Sequence, residues 1–293
     1  MLWILLVAIA VALYSVHHII NKHIISDELK DPAVASFISS AVIFPVFFLI
    51  TLLYGNFSIR PGLATVLMFV GFIDFISSFL YFSSLEKGKV SRIIAIVHTF
   101  PIFVMILGFL FLGETFALPE YAGMIMIVMG SVLVSHHSKN RGKIDMSIML
   151  AFAVAIIVAV RVVIVKEVTI LTVVFNMLFW IALGRMMTGI GMFYYHHPHI
   201  IKKCKKGVEH QILNSFLTPF AYIATLLAIS LVPASLVSSF LSIQTLVIFL
   251  AVIVLSKMHS KIISESLDRK TVVYKLSGIL FIVTGTILAL LFF

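Results

Sequence analysis

Three charged residues, Asp74, Arg161 and Arg185, lie inside stretches of sequence that are otherwise apolar. A charge at the centre of a membrane-spanning helix costs about 2.5–3.5 kcal/mol on insertion scales, so these side chains are expected to face a protein interior. There they can form a structural ion pair or bind a charged ligand. Even if Asp74 pairs with one arginine, the other is left over. The hypothesis that follows is that Arg161 or Arg185 holds a carboxylate or a phosphate. Arg161 is nearer one end of its stretch and could instead extend to the membrane surface.

Neutral polar residues accompany these charges at helical spacing. Ser78 and Tyr81 follow Asp74 by four and seven positions, so the three lie on one helix face. His17 and His98 are candidates for proton coupling because histidine changes charge near neutral pH; neutral histidines bonded between helices are the alternative. The predicted substrate-binding set is Tyr14, His17, Asp74, Ser78, Tyr81, His98, Arg161, Arg185, Thr218 and Tyr222.

The composition decides what kind of protein must position these residues. Hydrophobic residues make up 61% of the chain and charged residues 11%, and the mean hydropathy is +1.18, so a soluble surface cannot be formed. We predict an all-α integral membrane protein in contact with a lipid bilayer and with no nucleic-acid partner. Cys204 is the single cysteine, so no intramolecular disulfide is expected. The N-terminal segment lacks a basic region and a cleavage site and is interpreted as a retained helix, not a signal peptide.

Ten apolar runs have the length of about 17–25 residues that a helix needs to cross a hydrocarbon core of about 30 Å. Helices are predicted because backbone polar groups in lipid must be bonded within a segment, and the alternation typical of membrane strands is absent from the sequence. The predicted spans are 2–22, 32–54, 62–84, 90–112, 117–137, 145–167, 170–193, 210–231, 233–256 and 271–293.

A shift of 144 residues superimposes the polar pattern of one half of the chain on that of the other. It brings His17 onto Arg161. The matched residues of the third and eighth spans are Asp74, Ser78 and Tyr81 with Thr218, Tyr222 and Thr225. Two five-helix repeats, 1–140 and 141–293, are therefore predicted. Because five is odd, the second repeat is inverted in the membrane, a construction common in secondary transporters with a site near the midplane.

The last span of each half repeats in a different register. Its glycines match at a shift of 155, so the second half contains an insertion between about 257 and 270. The matched glycines are Gly123 with Gly278 and Gly130 with Gly285. Glycines seven apart lie on one helix face and let a neighbouring helix approach closely, so their predicted role is packing.

Several short motifs follow the third span. They are Gly88-Lys89-Val90-Ser91-Arg92, Thr99-Phe100-Pro101-Ile102-Phe103, Phe111-Leu112-Gly113-Glu114, and then Gly123 and Gly130. These motifs resemble those of the EamA-type ten-helix transporters of the drug/metabolite transporter superfamily. Segments 232–236 and 242–245 resemble the matching part of the second repeat, although Thr245 replaces the proline and Ser256-Lys257-Met258 replaces the Gly-Glu pair. The resemblance implies inverted five-helix repeats around a central cavity and alternating-access transport of small organic metabolites.

Two residues of these motifs also have local structural interpretations. Pro101 is expected to break the hydrogen-bond ladder of the fourth span. Glu114 lies at a span end before Pro119 and Glu120, so capping or interfacial solvation is its expected role.

One loop carries residue types that can bind a metal. It contains His196-His197-Pro198-His199, then Cys204 and His210, but this spacing matches no closed four-ligand pattern. Four lysines within 202–206 instead indicate a basic loop near anionic lipid headgroups. No metal and no other cofactor are predicted.

Basic residues are concentrated on one predicted side of the membrane. The loops after spans one, three, five, seven and nine hold 17 of the 21 lysines and arginines, whereas the opposite side has Arg60 and Lys166. By the positive-inside rule these loops are cytoplasmic and both termini lie outside. The family resemblance implies both termini inside. The predicted location is the cell membrane in either case.

The function that these features favour is secondary transport, as an exporter or an exchanger. An anionic or amino-acid-like substrate and proton coupling are the hypotheses for its chemistry. A polytopic membrane enzyme is an alternative, but the sequence has no HExxH, GxSxG, paired-acid or phosphate-binding glycine motif, so no enzymatic activity is predicted. A channel would need a continuous pore. A small-molecule substrate is the expected partner, and the protein is expected to be a monomer or a homodimer.

Overall fold

The computed structural model of the chain describes five ranges: 1–88, 90–135, 146–196, 204–258 and 269–291. Within them every regular element is a helix. The helices are α1 (Leu2–His23), α2 (Pro32–Tyr54), α3 (Pro61–Lys87), α4 (Val90–Val97), α5 (Phe100–Leu107), α6 (Leu118–Ser135), α7 (Met146–Leu171), α8 (Val174–His196), α9 (Lys205–Ser215), α10 (Leu217–Leu231), α11 (Ala234–Leu241), α12 (Gln244–Met258) and α13 (Arg269–Leu291). A π-helical turn, Ile24–Glu28, continues α1, and another, Gly108–Leu112, continues α5. Most of the predicted insertion, at 259–268, lies outside the described ranges.

Within the described ranges, a helical region occupies each of the ten predicted spans. Eight of these regions are long and apolar enough to cross a membrane: Leu2–Glu28, Pro32–Tyr54, Pro61–Lys87, Arg92–Leu112, Met146–Leu171, Val174–Tyr195, Lys205–Leu231 and Ala234–Ala251. Leu118–Leu133 and Leu276–Leu291 are apolar but shorter. The protein is therefore an all-helical, integral multi-pass membrane protein.

Asp31 and Pro32 determine where α2 begins. The side chain of Asp31 accepts hydrogen bonds from the backbone N–H groups of Ala33 and Val34, at 2.9 and 3.0 Å. Pro32 occupies the first turn, where a missing N–H costs nothing. The chain therefore leaves the end of α1 and enters α2 through only a short connector.

The fourth and ninth predicted spans are each broken near their middle. Residues 98–99 separate α4 from α5, and residues 242–243 separate α11 from α12. Pro101 accounts for the first break, as predicted, because proline has no N–H to donate. The second break occurs although Thr245 stands where the repeat predicts proline. The second half therefore keeps this feature without the residue that causes it in the first half.

Hydroxyl groups satisfy the backbone carbonyls that the two breaks release. Ser242 Oγ donates to the carbonyl oxygen of His98 at 3.0 Å, and Ser131 Oγ donates to that of Ser242 at 2.8 Å. Irregular backbone at membrane depth needs such partners because lipid offers none. The first of these bonds also joins the two breaks directly.

A lysine caps the C-terminal end of α3, and another caps that of α10, in the same way. The contacts are Lys22 Nζ with Leu85 O and Gly88 O, at 2.7 and 2.9 Å, and Lys166 Nζ with Ile229 O and Val232 O, at 2.8 and 3.1 Å. Each residue of the second set lies 144 positions after its counterpart. A cation near the last carbonyls of a helix is electrostatically favourable. The C-terminal ends of α3 and α10 are thus capped in the same way.

The glycines that repeat at a shift of 155 bring α6 and α13 into backbone contact. A Cβ atom at Gly123 would lie 2.7 Å from the carbonyl oxygen of Gly285, and one at Gly130 would lie 2.6 Å from that of Gly278. Helices approach this closely only where small residues form the interface. The predicted packing role of these glycines is confirmed.

Glu114 caps the N-terminus of α11, which belongs to the other half of the chain. Its Oε1 accepts from the backbone N–H of Ala234 at 2.6 Å, and its Oε2 accepts from that of Ser235 at 3.1 Å and from the Ser235 hydroxyl. Gly113, with a φ of 65°, turns the chain just before this residue. A carboxylate at a helix N-terminus is stabilising, and the predicted capping role is confirmed.

Glu114→Gln is expected to lower the free energy of unfolding by about 0.5–2 kcal/mol, the usual range for loss of an N-cap. The amide NH₂ would face N–H and O–H donors that the carboxylate now accepts from. Thermal unfolding of the detergent-purified protein measures the effect. Glu86→Gln removes an equal charge from an exposed side chain at the end of α3 and is the matched control. Equal unfolding midpoints for the two variants would contradict the capping role.

Candidate functional site

A cavity of about 180 Å³ lies inside the bundle, and all ten residues of the predicted set line it. It also contains polar residues that the prediction omitted: His18, Ser39, Ser77, Thr225 and Gln244. Two of these had a signal in the sequence, since Thr225 matches Tyr81 at the 144-residue shift and His18 adjoins His17. The ten residues therefore lie around one cavity. Their role in binding a substrate stays a prediction.

The helices α3 and α8 cross at backbone contact beside this cavity. A Cβ atom at Gly71 would lie 2.1 Å from a carbonyl oxygen of α8, and one at Gly184 would lie 2.1 Å from a carbonyl oxygen of α3. Two helix backbones meet at this distance only where no side chain separates them. Asp74 lies about one turn after Gly71, and Arg185 directly follows Gly184. The glycine contact therefore determines how close this acid and this base can come.

Asp74 pairs with both buried arginines. Its Oδ1 accepts from Arg161 Nη1 at 2.6 Å, and its Oδ2 accepts from Arg185 Nη1. The expectation that one arginine would be left over is therefore wrong. The reason is geometric, because a carboxylate has two oxygens and each of them accepts from a different arginine. The three side chains together carry a formal charge of +1.

Arg185 is held by further bonds to α2 and α3. Its Nε donates to Ser40 Oγ at 3.1 Å, and its Nη2 donates to Ser78 Oγ at 3.1 Å and to Ser39 Oγ at 3.5 Å. Its side chain is 7% exposed. A guanidinium has five N–H donors in a fixed plane, and here most of them have protein acceptors. Arg185 is thus built into the wall of the cavity.

Arg161 has fewer partners and more space than Arg185. Beyond its ion pair with Asp74, its guanidinium carbon lies 5.1 Å from the ring centre of Tyr222, within the range of a cation–π contact. Its side chain is 16% exposed, and it also lines a second, smaller cavity of about 20 Å³. The sequence placed Arg161 near a span end, but it lies well inside α7 and faces the cavity. Arg161 is the arginine with room to turn towards a ligand.

His17 belongs to a closed hydrogen-bond network between α1 and the α9–α10 region. Its Nδ1 lies 3.2 Å from the carbonyl oxygen of Asn214, and its Nε2 lies 2.9 Å from Asn21 Nδ2. Asn214 Nδ2 donates to Asn21 Oδ1 at 2.8 Å. A carbonyl can only accept, so Nδ1 carries the hydrogen and Nε2 accepts from Asn21. His17 therefore fits the alternative interpretation, a neutral histidine bonded between helices.

Proton coupling through His17 would disrupt this network. A proton on Nε2 would face the amide NH₂ of Asn21, so that amide would have to turn over, and Asn214 would lose its acceptor. His18 also has a protein partner, Tyr81, whose hydroxyl lies 2.5 Å from its Nδ1. Coupling through His98 stays a prediction.

Three polar atoms of the cavity lining are buried and have no hydrogen-bond partner within the described part of the chain. They are His98 Nδ1, Tyr222 Oη and Gln244 Nε2. Their residues are 5%, 7% and 2% exposed, respectively. Buried polar groups in proteins are nearly always bonded, so these three residues of the cavity lining retain unused hydrogen-bonding capacity. Gln244 was not among the predicted site residues, and its equivalent in the first half is the apolar Phe100.

The histidine-rich loop lies mostly outside the described residues, which omit 197–203. His210 lies within them, and its Nδ1 is 2.8 Å from a carboxylate oxygen of Glu28. Where the chain is described, no group of three or more potential metal-ligating side chains occurs. His210 therefore links α9 to the end of the first span.

The first part of the chain is similar to a known protein family. Residues 1–136 match the model of the EamA-like transporter family. This part of the chain is similar to that family. The first-half motifs lie within the matched range, so the resemblance read from them is confirmed there.

A protein of solved structure and a second protein are also similar to this chain. A protein of known crystal structure has the same fold, with a TM-score of 0.75 over 98% of this chain and 95% of its own, at 15% sequence identity. An uncharacterized protein of Methanocaldococcus jannaschii is 37% identical over 60 residues, which are 20% of this chain. The match spans 44% of that protein's length.

The EamA-like part of the chain and the remainder share the cavity. The matched range contributes Asp74 and His98, whereas Arg161, Arg185 and Tyr222 come from beyond residue 136. The ion pairs of Asp74 therefore join the EamA-like half to the other half. The match to an EamA-like transporter, together with the apolar helices, indicates a membrane transporter.

Proposed function

We propose that this protein is a secondary transporter that moves small organic anions by alternating access through the central cavity. The observation that carries the proposal is the buried Asp74–Arg161–Arg185 cluster, which leaves a formal charge of +1 on the cavity wall. An isolated excess charge in a membrane protein is costly and marks a substrate or ion pathway. An entering carboxylate or phosphate would balance it.

Two inverted five-helix repeats, 1–140 and 141–293, are the scaffold that we infer for this mechanism. The support is a set of contacts that recur at a spacing of 144 residues. Lys22 and Lys166 cap equivalent helix ends, and both the fourth and the ninth span are broken at equivalent residues. An odd number of spans in each repeat orients the halves oppositely, and broken helices at the repeat interface are typical of secondary transporters.

The size of the cavity limits the substrate. An engineered protein cavity of about 150 Å³ accommodates benzene, so about 180 Å³ suits a molecule of a similar or slightly larger size. Short organic acids and amino-acid-like molecules fall in this range. Arg161 is the group that we assign to the anion, because its side chain is 16% exposed, against 7% for Arg185, and it lines both cavities.

A ligand-dependent thermal-shift screen on the purified protein tests the proposal. The panel contains organic acids, phosphates, amino acids, nucleotides and organic cations, since a ligand that binds the folded state raises the unfolding midpoint. Anions are expected to stabilise the protein, and Arg161→Gln is expected to weaken their binding about 10- to 100-fold, as for loss of a charged hydrogen bond. Arg60→Gln removes an exposed arginine and should not change the affinity.

Uptake into proteoliposomes separates transport from the alternatives. Saturable, counter-transported flux of the stabilising anion is expected. Stabilisation by cations alone would overturn the anion assignment and direct attention to Asp74. Flux without saturation would indicate a channel, and chemical conversion of the ligand would indicate an enzyme.

We propose the cell membrane as the location, with the basic loops in the cytoplasm and both termini outside. The charge bias supports this orientation, because 17 of the 21 basic residues lie on one side. A cysteine introduced at the N-terminus of a Cys204→Ser variant should then react with an impermeant thiol reagent in intact cells. Protection until the cells are opened would reverse the orientation.

A further inference from the structure

We propose that the cavity has a second recognition site, formed by His98 and Gln244, that binds a hydroxyl group of the substrate. The substrate class is then a short hydroxy acid, with its anionic group at Arg161 and its hydroxyl at this pair. The proposal rests on the proposed anion site, and it adds the second functional group that the substrate must carry.

The two side chains lie beside the crossed helix breaks. His98 is the first residue of the break between α4 and α5, and Gln244 directly follows the break between α11 and α12. The hydrogen bond from Ser242 Oγ to the carbonyl oxygen of His98, at 3.0 Å, holds the two breaks against each other. Gln244 lies two residues after that serine, and both side chains line the cavity.

The polar atoms of this pair are buried without a partner. His98 Nδ1 and Gln244 Nε2 have no hydrogen-bond partner among the residues that the structure describes, although the residues are 5% and 2% exposed. By contrast, His17, His18 and Tyr81 line the same cavity and already have protein partners. The unused hydrogen-bonding capacity beside the cavity therefore includes these two side chains from opposite halves of the chain.

The chemistry of the pair suits a hydroxyl group. Gln244 Nε2 is a donor, and His98 Nδ1 accepts when the neutral ring carries its hydrogen on Nε2. A hydroxyl group matches both functions, because its oxygen accepts from an amide N–H and its hydrogen is donated to an imidazole nitrogen. A site built around such polar atoms discriminates strongly against an analogue that lacks the hydroxyl, because both atoms are then left unpaired.

Binding measurements on matched ligand pairs test this inference. The pairs are lactate with propionate and malate with succinate, which differ by one hydroxyl group. Dissociation constants are measured by calorimetry on the full-length protein in detergent. The wild type is expected to bind the hydroxylated member at least about tenfold more tightly, and Gln244→Met and His98→Leu are expected to lose this preference while still binding both members.

Control variants show whether an effect on binding is specific to the His98–Gln244 site. Gln211→Met removes a buried amide from α9 that does not line the cavity, and it should leave the preference unchanged. Arg161→Gln should weaken both members of a pair by a similar factor. Gln244→Met should not lower the unfolding midpoint of the ligand-free protein, since it removes a buried Nε2 that has no partner, whereas the loss of a structural glutamine would lower it.

The outcomes separate this inference from the proposed function. If the wild type binds both members of each pair equally and through Arg161, the second site is overturned and the anion site stands. If Gln244→Met and Gln211→Met affect the preference alike, the second site is also overturned. If none of the four anions binds and the wider anion panel is equally inert, the proposed function itself fails.

Discussion

Asp74→Asn is expected to lower the free energy of unfolding by about 3–5 kcal/mol, the typical cost of removing one partner from a buried ion pair. The variant would leave Arg161 and Arg185 side by side without a counter-charge. Both guanidinium groups now bond the carboxylate, at 2.6 Å in the case of Arg161. Because these bonds join α3 to α7 and α8, their loss should also loosen the cavity wall.

Unfolding midpoints of detergent-purified variants measure this effect. Asp27→Asn is the control, since it removes the same charge from a side chain that is 56% exposed and should change stability by less than about 0.5 kcal/mol. Adding Arg161→Gln to Asp74→Asn removes one of the two unpaired cations and should restore part of the lost stability. If the unfolding midpoint of Asp74→Asn equals that of the control, the Asp74–Arg161–Arg185 cluster does not stabilise the fold.

Gly184→Ala is expected to separate α3 from α8, to abolish ligand binding and to lower the free energy of unfolding. A Cβ atom here would lie 2.1 Å from the carbonyl oxygen of Met68, a distance that no real contact adopts, and the obstacle is backbone that cannot rotate away. Overpacking of this kind costs about 1–3 kcal/mol and sometimes more. Movement of α8 would carry Arg185 away from Asp74, so the cavity would lose its shape together with its charge balance.

The same helix supplies the control for this variant. A Cβ atom at Gly191 would meet nothing within 4 Å in the described part of the chain, so Gly191→Ala should be neutral or slightly stabilising, as alanine favours a helix over glycine. Gly71→Ala, on the facing helix, should reproduce the effect of Gly184→Ala. Unfolding midpoints and anion affinities measured on all three variants test the prediction. Similar values for Gly184→Ala and Gly191→Ala would show that the helices do not meet as closely as described.

Much of the architecture was predictable because it depends on local properties of the chain. The apolar runs require helices, since a backbone in lipid must satisfy its own hydrogen bonds. The break at Pro101 follows from one missing N–H. The break at residues 242–243 has no proline and was not predictable, because long-range bonds from side-chain hydroxyls to backbone carbonyls accompany it.

The candidate site was predictable as a set of residues but not as an arrangement. The cost of burying Asp74, Arg161 and Arg185 in lipid was enough to assign them to the interior. That cost does not reveal the pairing, and the idea of a spare arginine was wrong because one carboxylate serves both. Gln244 escaped notice because an amide on an apolar helix is as easily a packing residue as a ligand-binding one.

The amino-acid sequence by itself determined that this chain lies in a membrane, that its polar residues recur at a spacing of 144 residues, and which polar side chains must avoid lipid. These are consequences of composition and periodicity, which act within one helix at a time. The tertiary structure alone decided which arginine is held by several bonds and which has fewer partners, which histidine is bonded between helices, and which residues of the cavity lining carry unpaired polar atoms. Those properties depend on how helices far apart in the chain approach one another, and no single segment encodes that distance.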